Sequence, residues 1–359
     1  MISLHFLRFD SQIVSLHTKL STMKKTFIFI IITMLIAGAA AGIAGFMGFK
    51  GSAVDAQHSI YVRPTDAYQS IKDSVASHSR NHWAFDLYAK RLDLENNIKP
   101  GHYVMEPGMS VIEVVRMLKL GLQTPVNVTI NNVKTPQYLA GKLSKQIMAD
   151  STEIVKALTD KATAEKLGFS SPLTMFSMFL PNTYEFYWTV TPEEFIERMR
   201  KEYKRFWTEE RDAKRKRSGL SRTEVMTLAS IVYEETRKVD EMPRIAGVYI
   251  NRLRQGIPLQ ADPTIKYAMQ DFGLRRILYR HLKYQSPYNT YINRGLPPSP
   301  ICMPSMDAIN AVLNFEKHEY IFFCARPTFD GYHNFARTLK EHNANARAYQ
   351  NELNKRKIK

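Results

Sequence analysis

A carboxyl group beside an apolar helix face is the first candidate for chemistry in this sequence. Ser221 and Glu224 form an S-x-x-E capping box, which predicts that a helix starts there. At about 100° per residue, Glu235 falls at the edge of the apolar stripe of this helix, whereas Glu234 points away from it. Desolvation raises the pKa of a carboxyl group, so Glu235 can stay protonated near neutral pH and act as a general acid on a sugar oxygen.

A simpler interpretation of Glu235 is equally compatible with the helical period. Its head group can reach water at the helix edge, or it can pair with Arg237 or Lys238. Most carboxylates on helices are hydrated, so periodicity alone favours this interpretation. Evidence from the residues after the helix is therefore needed to distinguish a general acid from a hydrated carboxylate.

The segment after this helix can return polar groups towards it. Residues 241–254 predict a second helix, Gly256 is placed to end it, and Pro258 prevents its continuation. Asp262 precedes Pro263, which disfavours helical backbone at Asp262 and predicts a fixed extended turn. Such a turn would bring a second carboxyl group near the first helix.

Short motifs follow one another within about the last 235 residues, in the order A-S-I-V-Y-E-E-T (229–236), V-Y-I-N-R-L (248–253), L-Q-A-D-P-T (259–264), Y-N-T-Y (288–291), G-L-P-P-S-P-I (295–301) and H-N-F (333–335). This succession resembles the MltG-type (YceG-like) endolytic murein transglycosylases of bacterial envelopes. The active helix of that family often reads E-x-E-T, and its second, catalytic glutamate matches Glu235. Tyr233 stands where the first glutamate often is, and Asn182 stands where the family has the aspartate of P-D-T-Y.

The resemblance implies a set of site residues. Glu235 is the expected catalytic residue, and no metal or cofactor is expected. The residues expected to bind or orient the sugar are Gln260, Asp262, Thr264, Tyr288, Asn289 and Tyr184. Two alternatives stay open, because Asp262 can serve only to stabilise its own turn and Tyr184 can be a core residue.

The resemblance also implies a reaction. In a lytic transglycosylase one glutamate protonates the glycosidic oxygen between N-acetylmuramic acid and N-acetylglucosamine, and then deprotonates the muramic acid C6 hydroxyl to close a 1,6-anhydro ring. The runner-up enzyme is a hydrolytic muramidase, which would use Glu235 together with Asp262. A non-catalytic peptidoglycan-binding scaffold and a membrane-tethered nucleic-acid binder are the other hypotheses.

The predicted fold class is α+β, with four segments along the chain. Residues 1–25 are a cytoplasmic segment, of which the first 22 residues can be an over-long start, and residues 26–49 are a transmembrane anchor. Residues 50–125 resemble a LysM-like α/β module, either a glycan-binding platform or a spacer. Residues 126–359 would be the larger α+β YceG-like catalytic domain. Within it, the pattern predicts one continuous helix over 192–216.

The apolar segment predicts a location for the rest of the chain. Residues 26–49 contain no charge and are long enough to span about 30 Å of hydrocarbon. An uncleaved anchor is favoured, although Ala39–Ala41 keeps cleavage possible. Lys24 and Lys25 precede the segment, so the positive-inside rule predicts an inner-membrane protein with a cytoplasmic N-terminus and a periplasmic catalytic domain.

The net charge limits the classes of binding partner, and the two cysteines bear on disulfide and metal chemistry. The net charge of +16 calls for a polyanionic neighbour, and export favours peptidoglycan strands and acidic lipids over nucleic acid. Cell-wall synthesis proteins are further expected partners. Cys302 and Cys324 can pair or remain two buried thiols, and their spacing to other residues indicates no metal centre.

Overall fold

The computed structural model describes residues 3–274 and 276–356, without the side chains of residues 3–18. The chain divides into two compact units, Met1–Thr124 and Pro125–Lys359. Each unit has its own cluster of buried apolar side chains. The mixed helices and short strands agree with the predicted α+β class.

The first unit consists of a long N-terminal helix and a small module with a two-stranded sheet. Its elements are α1 (Ser3–Lys50), β1 (His58–Val62), α2 (Tyr68–Ala76), α3 (His82–Arg91), α4 (Leu94–Asn97), β2 (Gly101–Met105) and α5 (Val111–Leu120). Strands β1 and β2 pair antiparallel, with Ile60 opposite Tyr103. Ser110 and Glu113 form the capping box that starts α5. A LysM-like assignment of this module remains a prediction.

The second unit is mainly helical and contains two separate antiparallel strand pairs. Its elements are β3 (Val126–Ile130), α6 (Pro136–Leu143), α7 (Ser151–Leu158), α8 (Lys161–Lys166), α9 (Pro172–Met175), β4 (Asn182–Phe186), α10 (Pro192–Phe206), α11 (Glu209–Ser218), α12 (Arg222–Glu235), α13 (Met242–Arg254), α14 (Asp262–Ala268), α15 (Met306–Leu313), β5 (Phe322–Ala325), β6 (His333–Ala336) and α16 (Leu339–Lys355). Strand β3 pairs with β4, and β5 pairs with β6.

Helix α12 lies at the centre of the second unit. The predicted capping box is confirmed, because the Glu224 backbone N–H donates to Ser221 and the Ser221 N–H donates to Glu224. Every residue from Val225 to Val232 is buried, so α12 is enclosed on all faces rather than only along one apolar stripe. It packs against α13, α14 and α15. The polar Thr227 and Ser230 are accommodated because their hydroxyls donate to backbone carbonyls of α12.

Two local predictions are wrong. The helix expected over 192–216 is broken at Trp207, because Thr208 caps a new helix by accepting a hydrogen bond from the Arg211 N–H. Asp262 is the first residue of α14 rather than part of an extended turn. Pro263 fits the first helical turn, where its missing N–H leaves no hydrogen bond unmade, and this outweighs the steric preference of the preceding residue.

Both cysteines are free thiols. Cys302 is 1% exposed, and burial raises the pKa of its thiol well above the usual value. Its Sγ lies 3.6 Å from the Ser230 carbonyl oxygen of α12. Cys302 therefore packs as a small core residue next to the central helix.

Gly247 gives a test of the packing around α13. A Cβ atom at this position would lie 2.4 Å from the Glu316 carbonyl oxygen, whereas one at Gly141 of α6 would meet nothing within 4 Å. We expect Gly247→Ala to destabilise the protein by about 1–3 kcal/mol through overpacking. Gly141→Ala is the matched control, which should stabilise by up to about 1 kcal/mol through helix propensity. Thermal unfolding midpoints measure both, and a gain in both variants would contradict the close contact at Gly247.

Candidate active site

Glu235 is the last residue of α12 and lies at the surface end of a buried helix. Thr236 leaves the helix in an extended conformation, which ends α12 directly after the glutamate. The Glu235 side chain is partly accessible to solvent, while Thr236 and Val232 are buried. A substrate can therefore reach the carboxyl group, although most of its surroundings are protein.

The hydroxyl of Tyr249 on α13 holds the Glu235 carboxyl group in place. It donates a hydrogen bond of 2.7 Å to Glu235 Oε1. Tyr249 is 1% exposed, and burial followed by the charge of Glu235 raises the pKa of its phenol well above the usual value. Tyr249 therefore stays protonated and acts only as a donor to the glutamate.

The environment of Glu235 favours its protonated form. The pKa of Glu235 is raised from 4.5 to about 7, with desolvation as the largest cause and the negative charge of Asp262 acting in the same direction. The hydrogen bond from Tyr249 and the positive charge of Lys266 act in the opposite direction. The C-terminal end of α12 carries the negative end of the helix dipole, which also disfavours a carboxylate there.

Glu234, the neighbouring glutamate, has a different environment. Its carboxylate accepts a hydrogen bond from Lys134 Nζ at 3.3 Å and lies 3.6 Å from Arg237 Nη2. Lys134 also lies over the ring of Phe272, 4.8 Å from its centroid. Two cations thus surround Glu234, whereas Glu235 faces a tyrosine hydroxyl. The two adjacent carboxyl groups therefore differ in environment, because among the described residues Glu234 pairs with cations and Glu235 does not.

Asp262 and Gln260 lie on the loop and helix start opposite the end of α12. Asp262 is exposed and accepts a 2.5 Å hydrogen bond from the hydroxyl of Tyr291. Gln260 is exposed, has a left-handed backbone with φ of 53°, and accepts a hydrogen bond from the buried guanidinium of Arg252. Asp262 is close enough to Glu235 to affect its titration. Asp262 and Gln260 are therefore accessible to a ligand, and a hydrogen bond to a neighbouring side chain holds each of them in position.

Three other predicted residues face the protein interior. Thr264 is fully buried, and its hydroxyl donates to the Ala261 carbonyl. Asn289 is fully buried, and its side-chain amide donates to the carbonyls of Leu282 and Tyr284. Tyr288 is 8% exposed, and its hydroxyl lies 2.5 Å from Ser299 Oγ.

These internal bonds differ from the predicted direct contact with a sugar. The polar groups of Thr264 and Asn289 are already paired with backbone groups, because buried polar atoms without partners are costly. The side chain of Asn289 also accepts from the Tyr291 N–H at 2.9 Å. Thr264 and Asn289 therefore fix the loop that presents Asp262 and Tyr291.

Tyr184 belongs to the core. It lies on β4 opposite Val128 of β3, is 6% exposed, and donates to the Leu180 carbonyl at 3.0 Å. Its ring lies 6.4 Å from that of Phe186, within the main apolar cluster of the second unit. Tyr184 is therefore a core residue, which was one of the two interpretations of the sequence. Its hydroxyl bonds Leu180 and not Glu235.

Sequence reasoning did not assign a role to Tyr249 or Lys266, which both affect the carboxyl group of Glu235. Tyr249 lies within the V-Y-I-N-R-L motif, one turn before the Arg252 that bonds Gln260. A tyrosine on a helix at an apolar position is usually a core residue, so the sequence offered no local signal for its hydrogen bond. Among the described residues, no group of His, Cys, Asp and Glu is arranged to hold a metal ion.

Comparison with known proteins places the chain in a family. Residues 60–348 match the YceG-like family. A relative from Bacillus subtilis (strain 168), named endolytic murein transglycosylase, is 28% identical over 322 residues, which cover 86% of this chain and 85% of that protein. A relative of the same name from Streptococcus pneumoniae serotype 2 (strain D39) is 27% identical over 300 residues, 74% of this chain and 53% of the relative.

A solved structure gives the same assignment. The crystal structure of a YceG-like protein from Listeria monocytogenes has a TM-score of 0.53 and 25% sequence identity, and the match covers 81% of this chain and 99% of that one. The family match extends over both the small module and the unit that contains Glu235. The chain therefore belongs to the YceG-like family.

Proposed function

We propose that the protein is an endolytic peptidoglycan lytic transglycosylase in which Glu235 is the catalytic residue. The observation that carries this proposal is an accessible carboxyl group whose pKa is raised to about 7. The pKa of other carboxyl groups with a clear shift, such as Asp212 and Glu113, is lowered. The relatives named endolytic murein transglycosylase support peptidoglycan as the substrate.

The reaction needs one carboxyl group that works first as an acid and then as a base. Protonated Glu235 gives its proton to the glycosidic oxygen, the bond from that oxygen to C1 of N-acetylmuramic acid breaks, and N-acetylglucosamine leaves with a new hydroxyl. The C6 hydroxyl oxygen of the muramic acid then bonds to C1, and its proton returns to Glu235. The products are a shortened strand and a 1,6-anhydro end.

Surrounding residues have separate positioning roles in this proposal. Tyr249 orients the Glu235 carboxyl group and stabilises the carboxylate that forms after proton transfer. Asp262 and Gln260 supply exposed polar groups for the sugar, and the half-buried Tyr291 donates to Asp262. Thr264, Tyr288 and Asn289 have an indirect role, because they hold the loop in position. Tyr184 contributes only to packing of the core.

Membrane anchoring is part of the proposal. Within the described residues, α1 contains one apolar stretch, Lys19–Lys50, that is long enough to cross a bilayer. An N-terminus in the cytoplasm would leave the enzyme outside the inner membrane, where nascent glycan strands begin. We therefore propose that cutting occurs within new strands and limits their length, with cell-wall synthesis proteins as neighbours.

Product analysis distinguishes the enzyme hypotheses. Mass spectrometry of peptidoglycan digested by the protein should show 1,6-anhydro-muramic acid ends, and Glu235→Gln should abolish them because an amide cannot donate the proton. Reducing ends from the wild type would instead indicate the hydrolytic muramidase that uses Glu235 with Asp262. Unchanged cleavage by Glu235→Gln would contradict the catalytic role, and no cleavage by either protein would favour the scaffold hypothesis.

The stability of Glu235→Gln tests the desolvation of the carboxyl group without measuring activity. A pKa of about 7 in the folded state against 4.5 means that the folded protein holds the proton more tightly, so stability is lost as pH rises from 4.5 to 7. We expect Glu235→Gln to be about 1–3 kcal/mol more stable than the wild type at pH 8, with this gain vanishing below pH ~4. Glu185→Gln, at an exposed position of β4, controls for the lost charge, and an equal gain in stability there would contradict the explanation.

The pH dependence of glycan cleavage tests the neighbours of Glu235. Because the protonated acid is required, the rate should fall about tenfold per pH unit above pH ~7. Tyr249→Phe removes a hydrogen bond that lowers the pKa, so the falling limb should move to higher pH. Asp262→Asn removes a charge that raises the pKa, so the limb should move to lower pH. Shifts in the same direction for both variants would contradict the assigned electrostatics.

A further inference from the structure

A groove lies within the first unit, between the end of α1 and the helices of the small module. We propose that it binds the head group of an anionic phospholipid and thereby seats the module on the bilayer surface. The groove has a volume of about 490 Å³, which is within the size range of small-molecule sites. Its principal lining residues are Phe46, Phe49, Lys50, Leu87, Tyr88 and Arg91.

The position of the groove along α1 corresponds to the head-group layer. The uncharged run from Thr26 to Phe49 would be about 36 Å long as a helix, against about 30 Å for the hydrocarbon core. With Lys24 and Lys25 in the inner head-group layer, Lys50 reaches the outer one. This step rests on the membrane anchoring proposed above.

Beside the groove, α1 packs directly against α3. Gly48 is buried against Trp83, so closely that a Cβ atom on the glycine would lie 2.4 Å from the indole ring. The Phe49 ring contacts Trp83 and Tyr88 edge-on, with centroids 5.4 and 6.3 Å away. The last turn of the anchor and the module therefore form one surface rather than a flexible joint.

The outer rim of this surface is apolar and exposed. Phe46 is 64% exposed, Leu87 is 57% exposed and Trp83 is 52% exposed. Large apolar side chains that remain exposed next to a membrane span are suited to the interface between lipid chains and head groups, where tryptophan is enriched. These side chains indicate a lipid surface rather than water as the neighbour.

Two cations at the groove favour a negatively charged ligand. Lys50 and Arg91 are exposed at the groove, and among the described residues no carboxylate forms an ion pair with either of them. By contrast, Lys72 and Arg80 of the same module pair with Asp86 and Asp55. A phosphate group between Lys50 and Arg91, with its acyl chains along the apolar rim, would satisfy both the charge and the apolar surface.

Native mass spectrometry of the full chain in a non-ionic detergent tests the proposal. We expect one phosphatidylglycerol to bind per chain in preference to phosphatidylcholine with the same acyl chains. The double variant Lys50→Gln/Arg91→Gln should lose affinity roughly thirty-fold, since each basic residue near a lipid surface contributes about 1 kcal/mol. The matched control Lys90→Gln/Arg116→Gln makes the same change in net charge on exposed positions of α3 and α5 outside the groove, and should bind phosphatidylglycerol as the wild type does.

Several outcomes would overturn the lipid site. Equal binding of the two lipids by the wild type would do so without any variant, and so would equal losses in the two double variants. Equally tight binding of inorganic phosphate would assign the groove to a free anion. Glycan cleavage is measured in parallel on the same preparations, and vesicle co-sedimentation measures membrane anchoring. A negative result for the lipid site can therefore be distinguished from a negative result for catalysis by Glu235.

Discussion

The chemistry proposed for Glu235 depends on the enclosure of one helix. Helix α12 is surrounded by protein on all sides, so its last residue emerges at the surface while its carboxyl group remains poorly hydrated. Ile231, one turn earlier, is fully buried, whereas Val239, the same distance further on, is 52% exposed. The position of Glu235 at the helix end thus supplies both access and a raised pKa, with Tyr249 fixing its orientation.

A second layer of contacts supports this arrangement from a distance. The loop that carries Tyr291 is held by Asn289, whose amide bonds three backbone groups, and α14 is joined to the same loop by the hydroxyl pair of Thr264 and Thr290. These buried polar groups are fully paired, which makes the loop a rigid support rather than a mobile cover. The polar atoms of Thr264 and Asn289, two residues predicted to bind the sugar, are therefore paired within the protein.

Local signals in the sequence were dependable where neighbouring residues decide the outcome. The capping box at Ser221 and the end of α13 before Gly256 were predicted and are confirmed. Errors arose where two local preferences compete. At Asp262 the preference of the residue before proline was overridden by the suitability of proline in a first helical turn.

The sequence by itself determined the family resemblance, the apolar N-terminal segment and the choice of Glu235 over Glu234, since these rest on motif order, composition and helical period. Only the tertiary structure decided which groups surround that carboxyl. Tyr249 and Lys266 come from separate segments, and helical period has no information on contacts between distant parts of a chain. Desolvation likewise depends on how many elements enclose α12, so the raised pKa of Glu235 is a property of the folded protein.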